Sequence, residues 1–166
     1  MKTAIVYYSR TGATAMLADA LAKRLHAEAG AIHCPRYRAG ALRYLLAGYD
    51  SVKGRLPEIQ SPVLDLAACD VVLIGTPIWT SHPSLPARAF LASRPMLPMR
   101  TALFLTYGGH SPPETAIEEL AALLPHPPVA SLALKHEDIL NGAFAASVGA
   151  FVRTLKQKLL PGDGDG

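Results

Sequence analysis

Apolar and polar positions alternate along this chain in blocks of two kinds. Short continuous apolar runs rich in β-branched and aromatic residues are typical of buried strands, and apolar residues three and four positions apart are typical of amphipathic helices. The pattern predicts strands at about residues 3–8, 30–34, 70–75, 101–106 and 129–134. It predicts helices at about residues 13–28, 40–54, 84–93, 113–124 and 142–159. Strict alternation of strands and helices predicts an α/β domain with a parallel sheet and helices on both faces.

The same pattern predicts a single domain over residues 1–160, followed by a disordered tail at residues 161–166. No linker or internal repeat divides the sequence. The segment Ser111-Pro112-Pro113-Glu114 predicts a capping box at the start of the fourth helix.

Composition narrows the class of protein. Half of the residues are hydrophobic and 17% are charged, which is typical of a compact globular chain. We expect neither a membrane span nor a signal peptide. Cys34 and Cys69 lie far apart without paired spacing, which predicts free, buried thiols in a reducing cytoplasm. The net charge of +3 is too small, and the arginines too scattered, to predict nucleic-acid binding.

The first predicted turn between a strand and a helix carries the groups of an anion site. Residues 9–14 are Ser-Arg-Thr-Gly-Ala-Thr. The N–H groups of a first helical turn point outward and the helix dipole favours negative charge there, so this loop can hold a phosphate without a lysine. Its glycine allows close approach of the backbone. The alternative is that Ser9 and Thr11 only cap the helix.

Two further loops leave the same edge of the predicted sheet, where ligands of open parallel sheets bind. Residues 76–83 are Thr-Pro-Ile-Trp-Thr-Ser-His-Pro, and the bracketing prolines predict irregular structure. The segment lacks glycine, and the β-branched Thr80 makes a turn with positive φ costly. Trp79, the only tryptophan in the chain, either forms a wall for a flat heterocycle or packs in the core. Residues 106–110 are Thr-Tyr-Gly-Gly-His, and the two glycines predict close backbone approach or a turn with positive φ.

These three segments together resemble the flavodoxin family. The pattern T/S-x-T-G-x-T after the first strand resembles the loop that binds the FMN phosphate. Gly-Thr-Pro-Ile-Trp, the helix that follows it and the strand ending Thr-x-Gly-Gly look like relatives that include NAD(P)H-dependent flavin and quinone reductases. The resemblance spans about residues 2–159. It implies a flavodoxin-like three-layer sandwich with a five-stranded parallel sheet in the order 2-1-3-4-5.

The resemblance also implies noncovalently bound FMN and assigns residues to it. The phosphate would be held by Ser9, Arg10, Thr11, Gly12, Ala13 and Thr14. The isoalloxazine ring would be contacted by Thr76, Pro77, Ile78, Trp79 and Thr80. Its pyrimidine side would be closed by Thr106, Tyr107, Gly108, Gly109 and His110.

The function implied is electron transfer through FMN to a redox partner protein. The alternative is an NAD(P)H-dependent FMN or quinone reductase that uses the same site, with a homodimer as one option on family grounds. Electron-carrier flavodoxins are usually acidic around the flavin, whereas this chain is basic and carries Arg10 in its first loop, which favours acidic partners or anionic ligands such as NADPH. The Gly108-Gly109 pair leaves one ring face open for a nicotinamide or quinone.

No catalytic acid or base is assigned. The six histidines show neither an i, i+4 pair nor a nearby cysteine cluster, so we expect no metal site. His82 and His110 are interpreted as donors to a reduced flavin or anionic substrate, or as solvated loop residues. Residues 35–63 are interpreted as a packed helix with a basic exposed side, or as a docking surface. A low-molecular-weight phosphatase is excluded, because the sixth residue after each cysteine is glycine rather than arginine.

Overall fold

The computed structural model describes residues 1–37, 53, 55–109 and 112–160. The strands are β1 (Thr3–Tyr7), β2 (Glu28–Ala31), β3 (Val71–Trp79), β4 (His82–Pro83), β5 (Thr101–Tyr107) and β6 (Ala130–Lys135). The helices are α1 (Ala13–Leu25), α2 (Leu85–Ala92), α3 (Glu114–Ala122), α4 (His136–Leu140) and α5 (Ala145–Leu159), with a 3-10 turn at Pro35–Tyr37. The described residues exclude the predicted tail 161–166 and all but one residue of the predicted helix 40–54. The predicted capping box is wrong, because α3 begins at Glu114 with Pro113 at the N-cap position and no side-chain cap.

Five strands form a parallel sheet in the order β2-β1-β3-β5-β6. The sixth strand, β4, has two residues and pairs antiparallel with the end of β3. The predicted order 2-1-3-4-5 of the parallel strands is therefore confirmed. Because β1 has β2 on one side and β3 on the other, the order of the chain across the sheet reverses there, and the loops after β1 and β3 flank this switch point.

Helices cover both faces of the sheet and enclose two separate cores. Side chains alternate between the faces along each strand, as the two-residue period of a strand requires. Val6 and Ile74 point to the core beneath α2 and α3, whereas Ile5 and Leu73 point to the core beneath α1 and α5. All four are fully buried. The three-layer α/β architecture predicted from the sequence is confirmed.

Several of the predicted bounds are wrong. Helix α1, for example, ends at Leu25 instead of near residue 28. Strand β2 begins and ends earlier than the predicted 30–34, because Glu28 to Ala31 pair with β1 although their exposed, weakly apolar sequence gives little periodicity. Helix α4 was not predicted, and Gly142, with a φ of 74°, lies between it and the start of α5 at Ala145. Strand β3 continues to Trp79 instead of ending near residue 75.

The centre of the sheet contains one close contact between a glycine and an aromatic ring. Gly75 on β3 pairs with Phe104 on β5. A Cβ atom on Gly75 would lie 2.0 Å from Cζ of Phe104, far inside van der Waals contact. Phe104 is fully buried in the core beneath α1 and α5, so its ring has little room to move.

We predict that Gly75→Ala lowers the free energy of unfolding by about 1–3 kcal/mol, because the new methyl group overpacks the core against Phe104. Urea denaturation measures the change. Gly108→Ala is the control, since a Cβ at Gly108 meets nothing within 4 Å, and we expect it to change stability by less than about 0.5 kcal/mol. Equal stability of the two variants would contradict the prediction.

Candidate cofactor site at the carboxyl edge of the sheet

The loop between β1 and α1 leaves the amino end of α1 without a side-chain cap. Gly12 occupies the N-cap position with φ 102°, a conformation that favours glycine. Its N–H donates to Oγ of Ser9 at 3.1 Å, so Ser9 braces the loop and does not cap the helix. The first turn of α1 contains no acidic residue. The interpretation that Ser9 and Thr11 only cap the helix is therefore wrong, and the helix end favours an anion.

Two threonines predicted to contact a ligand lie beneath the loops. Thr14 on α1 and Thr106 on β5 are 2% exposed each, and their hydroxyl oxygens lie 2.8 Å apart. This hydrogen bond links the start of α1 to the end of β5 across the sheet. The two hydroxyls hold the first and third loops together, and Thr11 is the exposed threonine of the first loop.

The second loop is a regular β-hairpin, which the prolines had argued against. Strand β1 pairs with β3 only as far as Gly75, so the later part of β3 has a free side where Pro77 needs no N–H partner. Trp79 then pairs with His82 across a two-residue turn. Thr80 and Ser81 in this turn have φ values of 47° and 70°. Thr80 therefore adopts the positive φ that was predicted to be costly for a β-branched residue, and the geometry matches the turns that close two-residue hairpins.

A buried hydroxyl network fixes the base of the hairpin. Thr76 and Ser84 are both fully buried, and their side-chain oxygens lie 2.8 Å apart. The N–H of Ser84 donates to Oγ1 of Thr76 at 3.1 Å and to the carbonyl of Pro77 at 3.0 Å. Thr76, predicted to contact a flavin ring, therefore lies inside the protein, whereas Ile78, Trp79 and Thr80 further along the hairpin are partly or fully exposed.

Trp79 lies in an aromatic cluster beside the first loop. Its ring packs edge-to-face against Tyr8 and Tyr37, with centroid distances of 5.7 Å and 5.3 Å. The guanidinium carbon of Arg10 lies 5.8 Å from the centre of the indole. Trp79 is only partly buried, while both tyrosines are almost completely buried. The two interpretations of Trp79 thus combine, because one part of the indole packs against the core and the rest remains accessible.

The third loop is open. Tyr107 is partly exposed, and Gly108 and Gly109 are exposed. Neither glycine has a positive φ, and a Cβ on either would meet nothing within 4 Å. Of the two explanations for the glycine pair, the turn with positive φ is wrong, and the backbone here is accessible to a bound group. His110 lies outside the described residues.

A cleft of about 380 Å³ extends from the first loop towards β2. Its lining includes Ser9, Arg10, His33, Cys34 and Gln60. The two backbones of His33 and Gln60 exchange hydrogen bonds of 3.0 and 2.8 Å, which form the floor of the cleft on this side. Burial raises the pKa of the Cys34 thiol, so this side chain stays protonated and weakly nucleophilic at neutral pH.

His82 on the hairpin and Glu119 on α3 form a pair that the sequence did not predict. Nδ1 of His82 lies 2.7 Å from Oε1 of Glu119 on α3. His82 is therefore hydrogen-bonded rather than a freely solvated loop residue. Within the part of the chain that the structure describes, no group of three or more His, Cys, Asp or Glu side chains could hold a metal ion. Among the described helices, none is long and apolar enough to cross a membrane.

The chain resembles known proteins in its structure and not in its sequence. No family model and no curated protein matches the sequence. Solved structures do match, among them a flavoprotein from Lactobacillus acidophilus in complex with FMN. It is 22% identical, covers 85% of this chain and 97% of its own, and superposes with a TM-score of 0.69.

Two other solved structures extend this likeness. A WrbA-like flavodoxin from Agrobacterium tumefaciens is 16% identical over 95% of this chain and 98% of its own, with a TM-score of 0.55. The two-electron reduced flavodoxin of Megasphaera elsdenii is 17% identical over 95% of this chain and 97% of its own, with a TM-score of 0.56. At these identities the likeness is one of fold. The chain has the flavodoxin-like fold.

Proposed function

We propose that this chain binds FMN noncovalently and is a redox protein that transfers electrons through it. The observation that carries the proposal is the uncapped amino end of α1 at the switch point of the sheet, after a loop whose Arg10 lies over the partly exposed Trp79 indole. Helix amides and a glycine in the left-handed conformation form a cradle for a phosphate. The residues present therefore fit the phosphate of FMN.

Each of the three loops would contact a different part of FMN. The backbone of residues 11–14 would hold the phosphate, with the exposed hydroxyl of Thr11 and the Arg10 guanidinium beside it. Trp79 would contact the isoalloxazine ring, and the open backbone of Gly108 and Gly109 would border its polar edge. FMN itself supplies the redox chemistry when bound, and these residues orient it and shield it from water.

Three of the predicted contact residues take a different part in this proposal. Thr14, Thr76 and Thr106 are buried and hydrogen-bonded within the protein, so we assign their side chains to positioning the loops rather than to contacting FMN. The solved complex of the Lactobacillus acidophilus flavoprotein with FMN supports the proposal, because this chain shares its fold over 85% of its length.

A second candidate function is an NAD(P)H-dependent FMN or quinone reductase at the same site. It is favoured by the open backbone at Gly108 and Gly109, which leaves room for a second flat reactant. The basic charge of the chain and Arg10, whose guanidinium lies over the Trp79 ring, favour anionic reactants such as NADPH. Electron transfer to an acidic partner protein is favoured by the same charge. The proposal also places the protein in the cytoplasm, because both cysteines are free and buried. It includes a homodimer as the oligomeric state.

We predict that Thr11→Asp weakens FMN binding by at least about tenfold without lowering the stability of the protein. The new carboxylate repels the FMN phosphate. The same negative charge interacts favourably with the dipole of α1, so the melting temperature stays equal or rises. Because Thr11 is exposed, the substitution disturbs no packing. Quenching of Trp79 fluorescence during an FMN titration gives the dissociation constant.

Riboflavin, which lacks the phosphate, is the matched ligand, and Thr154→Asp on the exposed side of α5 is the matched variant. We expect riboflavin binding to be unchanged by Thr11→Asp and FMN binding to be unchanged by Thr154→Asp. An equal loss of both ligands in Thr11→Asp would contradict a phosphate site at the amino end of α1.

The two functions are separated by anaerobic reduction of the FMN-loaded protein. If the protein is a carrier, we expect NADPH to leave the oxidised flavin absorbance unchanged over minutes, and a potentiometric titration to show two separated one-electron steps. If it is a reductase, NADPH bleaches the absorbance directly. Arg10→Ala should then slow bleaching by NADPH more than bleaching by dithionite, since only NADPH carries phosphates that a guanidinium attracts.

A further inference from the structure

The hairpin that carries Trp79 is attached to helix α3 by one side-chain pair. Nδ1 of His82 lies 2.7 Å from Oε1 of Glu119. An ionised carboxylate only accepts hydrogen bonds, so the ring nitrogen that faces Glu119 carries a proton whether the imidazole is charged or neutral. The side chains are 42% and 35% exposed, which places the pair at the surface, in contact with solvent.

His82 is coupled to Trp79 through the hairpin itself. The two residues are direct partners in the antiparallel pair of β3 and β4, and direct partners project from the same face of a hairpin. Only Thr80 and Ser81 separate them, and both have positive φ, a conformation that L residues adopt at a cost in energy. Contacts on the two flanking residues therefore help to keep this turn closed.

These flanking contacts come from two different parts of the protein. Trp79 packs against Tyr8 and Tyr37, which belong to the sheet edge and the 3-10 turn. His82 is bonded to Glu119 on α3. The hairpin is thus held on one flank by aromatic packing and on the other by the hydrogen bond between His82 and Glu119.

We propose that His82 and Glu119 are positioning residues that fix the orientation of the Trp79 indole. The consequence for FMN rests on the proposed function, in which Trp79 contacts the ring. The positioning itself does not, because it concerns only contacts within this chain. The competing interpretation is an exposed ion pair with no measurable effect, which is common at protein surfaces.

Trp79 is the only tryptophan in the chain, so its fluorescence reports on this hairpin with no FMN present. The test variants are His82→Ala and Glu119→Ala. The matched control is Glu118→Ala, which removes the same charge from the adjacent, exposed position of α3. In the ligand-free protein, we expect both test variants to increase acrylamide quenching of Trp79 by about two- to fivefold, the population change that an exposed ion pair provides. We expect acrylamide quenching of Trp79 in the Glu118→Ala control to equal that of the unmodified protein.

Three further measurements separate positioning from general damage to the fold. Glu119→Gln retains an oxygen that accepts from Nδ1 and should restore most of the low quenching. The double variant His82→Ala with Glu119→Ala should be no more quenched than either single variant, because both remove one interaction. The FMN dissociation constant should rise by about two- to fivefold in the test variants.

Quenching of Glu119→Ala equal to that of the control, or additive effects in the double variant, overturns the positioning role whether or not FMN binds. Failure of the unmodified protein to bind FMN, together with increased quenching in Glu119→Ala, overturns the proposed function and supports the positioning role.

Discussion

The hydrogen bond at the point where β1 and β3 separate determines where the site opens. The N–H of Tyr8 donates to the carbonyl of Gly75 at 3.0 Å. Beyond this bond, β1 turns away into residues 9–14, while β3 runs on through Pro77 into the Trp79 hairpin. Because β1 and β3 are neighbouring parallel strands, both segments leave the sheet at the same carboxyl edge. The first loop and the Trp79 indole therefore lie close together, with the guanidinium of Arg10 over the indole ring.

The threonine hydroxyls near the carboxyl edge of the sheet have two different roles, and the sequence alone does not separate them. Thr14, Thr76 and Thr106 are buried and bonded to other groups of the protein, whereas Thr11 is exposed. A threonine in the sequence supplies the same hydroxyl group whether its side chain is buried or exposed. Position in the fold decides the role. Packing buries the threonines on α1, β3 and β5, whereas Thr11 lies exposed in the loop before α1. Accordingly, the motif did not predict which of these hydroxyl groups the fold buries.

The sequence predicted the sheet order and the three layers because long apolar runs such as residues 71–74 bury on both faces of a parallel sheet. It did not predict β2 correctly, because Glu28 and Ala29 are exposed and pairing with β1 places them in the sheet. It missed the hairpin because the turn at Thr80 and Ser81 is stabilised by contacts distant in sequence, from Tyr8 to Glu119. Local propensity opposes that turn, and tertiary contacts override it.

The energies involved explain why this hairpin can form without glycine. Two L residues with positive φ cost together about 2–4 kcal/mol. The two edge-to-face contacts of Trp79 with Tyr8 and Tyr37 contribute about 1–3 kcal/mol. The exposed His82–Glu119 pair adds less than about 1 kcal/mol. Cost and gain are of the same size, so the turn is held by a narrow margin and no single contact suffices.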